Sequence, residues 1–96
     1  MINVICRTNL DLALEIFPDA LPAVPQVGDR IQSAQVWKGG FQLELEVYSV
    51  TWKCSTGGQI WIPVIELHVP KLRKWSITQF YEWYAPKVGR SVGSFI

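Results

Sequence analysis

The stretch FQLELEVYSVTWKC, Phe41 to Cys54, decides how this chain must be read, because its alternation of apolar and polar residues changes parity part-way along. Phe41, Leu43, Leu45 and Val47 hold odd positions with Gln42, Glu44 and Glu46 between them. From Tyr48 the bulky residues move to even positions: Tyr48, Val50, Trp52 and Cys54. Successive side chains of a strand point to opposite faces, so the change raises the question of which face is inside.

The following apolar stretch, QIWIPVIELHVP (Gln59 to Pro70), shows a matching change: Ile60, Ile62 and Val64 on even positions, then Ile65, Leu67 and Val69 on odd ones. With a turn centred near Thr56 in STGG, Val47 faces Ile65 and Tyr48 faces Val64, so the two changes coincide across the ladder. A slip or bulge in one strand alone would break that agreement. The pattern therefore predicts one long hairpin that buries one face near its base and the opposite face near its tip. Such a sheet lies between two layers, the first a C-terminal helix and the second either the proline-rich loop or a symmetry mate.

This register has a chemical consequence. Glu44 lies opposite His68 and Glu46 opposite Glu66; a shift of two brings Glu46 opposite His68 instead. Either way three carboxylates and the chain's single histidine share one patch. Glu44, Glu46, Glu66 and His68 are residue types that hold a divalent transition metal or serve as a general acid/base pair. Facing glutamates repel, and a cation or an arginine from a partner would remove that repulsion. The plainer reading is the solvent face of an antiparallel sheet. No cofactor is implied. A triad built on His68 would need Ser49, Ser55 or Cys54 opposite it, which this register does not provide, and no glycine-rich phosphate loop is present, so a conventional hydrolase is disfavoured.

Around this hairpin, INVICRTN (Ile2 to Asn9) reads as a strand. LDLALEIF (Leu10 to Phe17) fits both periods and leans helical, with Thr8 or Asn9 as a cap. PDALPAVPQVGD contains Pro18, Pro22 and Pro25 and predicts an extended, irregular loop. RIQSAQVW and FQLELEV form a hairpin through Gly39 and Gly40, which supply the positive φ of a tight turn. KWSITQFYEWYAP begins a helix: Ser76 caps it, Gln79 completes a capping box, and Trp75 and Phe80 form a hydrophobic staple. Ile77, Phe80, Tyr81 and Tyr84 make its core stripe, and Pro86 ends or kinks it.

Two further surfaces stand out. Trp83 falls outside the helical core stripe, and an exposed tryptophan is the kind of anchor interfaces use; the alternative is that it folds over the sheet edge. The run PKLRKW places Lys71, Arg73 and Lys74 beside Trp75, a pattern that contacts phosphates and stacks on bases in single-stranded nucleic acid. Residues 1–69 carry four basic and seven acidic side chains, and residues 70–96 five basic and one acidic. The total is only +1, which weighs against nucleic acid as the partner. Attraction between the acidic sheet face and this basic segment of another copy is another use for both.

A chain of 96 residues builds one domain around one core. With 49% hydrophobic and 18% charged residues, it is neither disordered nor short of apolar surface for a partner. No apolar run reaches the length of a membrane helix and no leader pattern opens the chain, so a cytoplasmic protein is expected. Cys6 and Cys54 lack metal-type spacing and are expected as reduced, apolar side chains.

The ending ITQFYEWYAPKVGRSVGSFI, together with LPAVPQVGDRI and PVIELHVP, resembles small bacterial proteins carried by mobile gene cassettes of the integron type. The resemblance implies a cytoplasmic accessory role and transfers no catalytic or binding residue. The expected fold is α+β: a strongly twisted antiparallel meander of about four strands, barrel-like in the extreme, with a C-terminal helix on one face. The expected role is a non-enzymatic interaction module, working as a homodimer or with another protein, that joins through Trp52, Ile60 and Ile62 at the hairpin tip or through Trp83.

Overall fold

The computed structural model describes residues 1–10, 14–70, 76–91 and 93. Among these, the chain forms strands β1 (Ile2–Asn3), β2 (Ile5–Thr8), β3 (Ala20–Leu21), β4 (Arg30–Gln32), β5 (Glu44–Cys54) and β6 (Trp61–His68), then helix α1 (Ile77–Lys87). β1 pairs with β3 in a two-stranded ladder, and the main sheet runs β2-β6-β5-β4. The α+β class, the four-stranded sheet and the C-terminal helix are as the sequence predicts.

The sheet is mixed and open, not an antiparallel meander and not a barrel. β4, β5 and β6 form the antiparallel part, while β2 lies parallel to β6, with Ile5 beside Val64 and Thr8 beside Leu67. The predicted first strand is two strands, broken at Val4, whose N–H donates to the Asp19 carbonyl. The β4–β5 hairpin is present, although its strands are shorter than predicted. Residues 33–43 form a wide connection with a 3-10 turn at Lys38–Gly40, where Gly39 and Gly40 adopt φ of 81° and 79°. The helix expected within residues 10–17 falls partly on residues 11–13, outside those described; Leu14 to Phe17 are irregular.

Helix α1 starts where its local chemistry dictates. The Ser76 hydroxyl accepts from the Gln79 N–H at 3.2 Å, and the Gln79 side chain accepts from the Ser76 N–H at 3.0 Å. These reciprocal bonds satisfy donors that a helix start leaves free. Trp75, the other half of the predicted staple, lies outside the described residues. Phe80, Tyr81 and Tyr84 face the sheet and are buried, but Ile77, expected with them, is exposed in the first turn. The core forms where this face meets Leu43, Leu45 and Val47 of β5 and Ile65 and Leu67 of β6.

A buried polar link ties this core to the N-terminal half. Oε1 of Glu15 accepts from Trp37 Nε1 at 2.9 Å and from the Tyr84 hydroxyl at 2.5 Å. Oε2 is buried with no hydrogen-bond partner.

Candidate functional site

The parity change in β5 has a different cause from the predicted one. The ladder pairs Val47 with Leu67 but Ser49 with Glu66, so Tyr48 is an extra residue, a β-bulge. Beyond it, Val50 pairs with Ile65, Trp52 with Pro63 and Cys54 with Trp61. A bulge resets parity without turning the strand over. Val50, Trp52 and Cys54 therefore stay on the core face that Leu43, Leu45 and Val47 occupied before it. β6 has no switch at all: Leu67, Ile65 and Pro63 remain buried on that face throughout. Of the even-position apolar residues, which lie on the other face, Val64 is buried, Ile62 half-buried and Ile60 exposed.

The corrected register redistributes the carboxylates. Glu46 faces His68, the alternative pairing; Glu44 does not face His68, and Glu66 faces Ser49 instead of Glu46. Arginines flank them within the same sheet: Arg7 is beside Glu66, Arg30 is the cross-strand partner of Glu46, and Arg30 forms an ion pair with Glu44 at 3.4 Å. Arg30 thus compensates Glu44 directly, and Arg7 stands next to Glu66 in the ladder. The ring of Tyr48, from the bulge, stacks on His68 with centroids 4.1 Å apart and 11° between the planes. Among the described residues, no three of His, Cys, Asp and Glu are grouped so as to hold a metal ion.

The predicted interface residues separate into two groups. Trp83 is half-buried over the sheet end, meeting Phe41 edge to face at 5.4 Å, with Lys87 Nζ 5.1 Å above its indole. It packs as part of the body and is not a free anchor. Trp52 and Ile60 remain exposed at 51% and 59%, Trp61 joins them at 59%, and Ile62 is half-buried. Sequence reasoning missed Trp61 because the supposed face switch drew attention to even positions. Lys71, Arg73, Lys74 and Trp75 lie outside the described residues.

These exposed residues belong to a ribbon that runs past the rest of the sheet. β4 accompanies β5 only as far as Glu46, and β2 accompanies β6 only from Val64. Trp52–Cys54 and Trp61–Pro63 are therefore two-stranded, closed by a turn in which the Ser55 N–H donates to the Ile60 carbonyl at 2.7 Å, while Ser49–Thr51 have strands on the β6 side only. The molecule measures 45 × 24 × 23 Å, and its radius of gyration, 14.7 Å, exceeds the roughly 12.5 Å of a compact chain this long. Trp52, Cys54 and Trp61 lie on one face of the ribbon and Ile60 and Ile62 on the other. From Tyr48 to Val64 the only charged side chain is Lys53.

A smaller feature lies at the opposite end. β6 stops because Pro70, which has no N–H to give, would face Glu44 on the next rung. A cleft of about 230 Å³ opens there, lined by Phe41, Leu43, Phe80 and Trp83 with Arg30 and Glu44.

Compared with family models, with curated proteins and with solved structures, the chain matches none. No helix among the described residues is long and apolar enough to cross a membrane.

Proposed function

We propose that this protein is a non-enzymatic interaction module that works as a homodimer, and that the projecting β5–β6 ribbon is its contact surface. One observation carries the reading: a two-stranded ribbon, barely stable by itself in water, holds two half-exposed tryptophans beyond the protection of its own sheet. Exposed aromatic clusters of this kind mark surfaces that another protein covers. The turn at the end of the ribbon, Ser55 to Gln59, is polar, so the apolar band is suited to contact from the side and not to insertion end-on. The resemblance of LPAVPQVGDRI, PVIELHVP and the C-terminal segment to mobile-cassette proteins is in keeping with an accessory role in the bacterial cytoplasm.

Light scattering on the whole chain at high micromolar concentration tests this reading. The expected mass is twice 10.9 kDa, falling to 10.9 kDa when Trp52 and Trp61 are both replaced by Ser. A monomeric native chain under those conditions refutes it.

A further inference from the structure

The two edges of the ribbon differ, and the difference specifies how a second copy docks. The Ser55-to-Ile60 bond turns the Ile60 carbonyl toward β5, so Ile62, Val64 and Glu66 also turn their backbone groups inward, toward Lys53, Thr51 and Ser49. The odd residues of β6 face outward. Pro63 is one of them, and its missing N–H closes that edge to strand addition. On β5 the outward residues are Val50, Trp52 and Cys54. They offer three consecutive rungs of N–H and C=O with no strand beside them among the described residues. One edge is blocked and the other is open.

We propose that the open edge of β5 pairs antiparallel with the same edge of a second copy, Trp52 facing Trp52 across a two-fold axis and Val50 facing Cys54. This inference rests on the dimeric reading above and adds its geometry. A strand edge that pairs antiparallel with itself satisfies two-fold symmetry without any further surface. Centring on Trp52 uses all three free rungs and stops short of the bulge at Tyr48. It sets Lys53 opposite Thr51 of the second copy, whereas moving the centre to Lys53 would place two lysines face to face. The rows of the joined core face are then apolar from end to end: Pro63, Trp52, Trp52 and Pro63 in the central row, and Ile65, Val50, Cys54 and Trp61 on either side of it. The pairing brings the two exposed Trp52 side chains together at its centre, while Trp61 stays at the outer end of each flanking row and Ile60, on the opposite face, takes no part.

Disulfide mapping tests the geometry in a Cys6→Ser, Cys54→Ser background. Thr51→Cys and Lys53→Cys are both exposed changes that leave the core intact. In the proposed pairing their Cα atoms are about 4.5 Å apart between copies, within disulfide reach, whereas two copies of either variant alone are not. A mixture of the two variants is expected to cross-link at least tenfold faster than either alone. If light scattering shows a dimer but the mixture gains nothing, or Thr51→Cys alone links fastest, the edge pairing is overturned while self-association stands. A monomer by light scattering, as would be found if an extended segment of another protein occupies this edge, overturns both.

Discussion

The Tyr84 hydroxyl donates to Oε1 of Glu15 across 69 residues of sequence, joining the C-terminal helix to the N-terminal segment inside the core. Because Oε2 has no partner, this bond and the one from Trp37 are what the buried carboxylate has. Tyr84→Phe removes one of them and is expected to cost about 2–3 kcal/mol, since a buried acceptor is left under-satisfied. Urea unfolding measures it; a loss below about 0.5 kcal/mol would show that the bond contributes little.

The same tyrosine gives the fold an alkaline limit. Burial, followed by the hydrogen bond and the charge of Glu15, pushes the Tyr84 hydroxyl above its ordinary value near 10. The folded protein therefore keeps this proton at a pH where the unfolded chain releases it. The stabilisation is complete below about pH 10 and is lost as pH rises above that value. Unfolding free energies measured from pH 8 upward should fall more steeply above about pH 10 in the native chain than in Tyr84→Phe. Equal slopes would contradict this assignment.

The bulge permits a sharper contrast. Deleting Tyr48 leaves a regular ladder, Val47 on Leu67 and Ser49 on Glu66, with Val50, Trp52 and Cys54 still on the core face. Deleting Thr51 instead keeps the bulge and swings Trp52 and Cys54 to the opposite face, so the second deletion should cost at least about 2 kcal/mol more than the first. Tyr48→Ala keeps the backbone residue and loses only an exposed ring stacked on His68, at about 1 kcal/mol. Thermal and urea unfolding compare the variants; a Tyr48 deletion as costly as the Thr51 deletion would mean that parity is not set at this position.

Cys6 lies on the core face of β2, beside Ile65, and burial raises its thiol above the ordinary range. In a Cys54→Ser variant, Ellman's reagent should react with Cys6 at least tenfold more slowly in the folded protein than in urea, because the thiolate is the reacting species. Equal rates would place Cys6 at the surface.

What the sequence discloses here follows the range of the physics involved. The capping box of Ser76 and Gln79 and the turn at Gly39–Gly40 were legible because those interactions span only a few residues. The parity change at Tyr48 was equally visible, but its cause was not. The even positions Ile60, Ile62 and Val64 carry apolar side chains on the second face, and of these only Val64 is buried, next to Ile5 of β2. That parallel pairing joins residues about sixty positions apart, which no local pattern records. The continuous run IWIPVI was therefore read as a second switch. The error moved Glu44 and Glu46 by two rungs and hid Arg7 and Arg30, whose closeness to the carboxylates depends on the strands at either edge. Trp52 and Ile60 were identified because exposure at a hairpin tip needs no distant partner. For Trp83 the sequence left two readings, interface anchor or cover of the sheet edge, and the contact with Phe41 that agrees with the second comes from another part of the chain.

Amide hydrogen exchange, resolved by residue and followed as protein concentration rises, tests the role of the ribbon most directly. The account predicts that protection grows with concentration at Val50, Trp52 and Cys54, whose N–H groups face outward. Thr51 and Lys53, already bonded to β6, should change little. Exchange at the three outward amides that is independent of concentration, or protection that grows instead along β4, would contradict it.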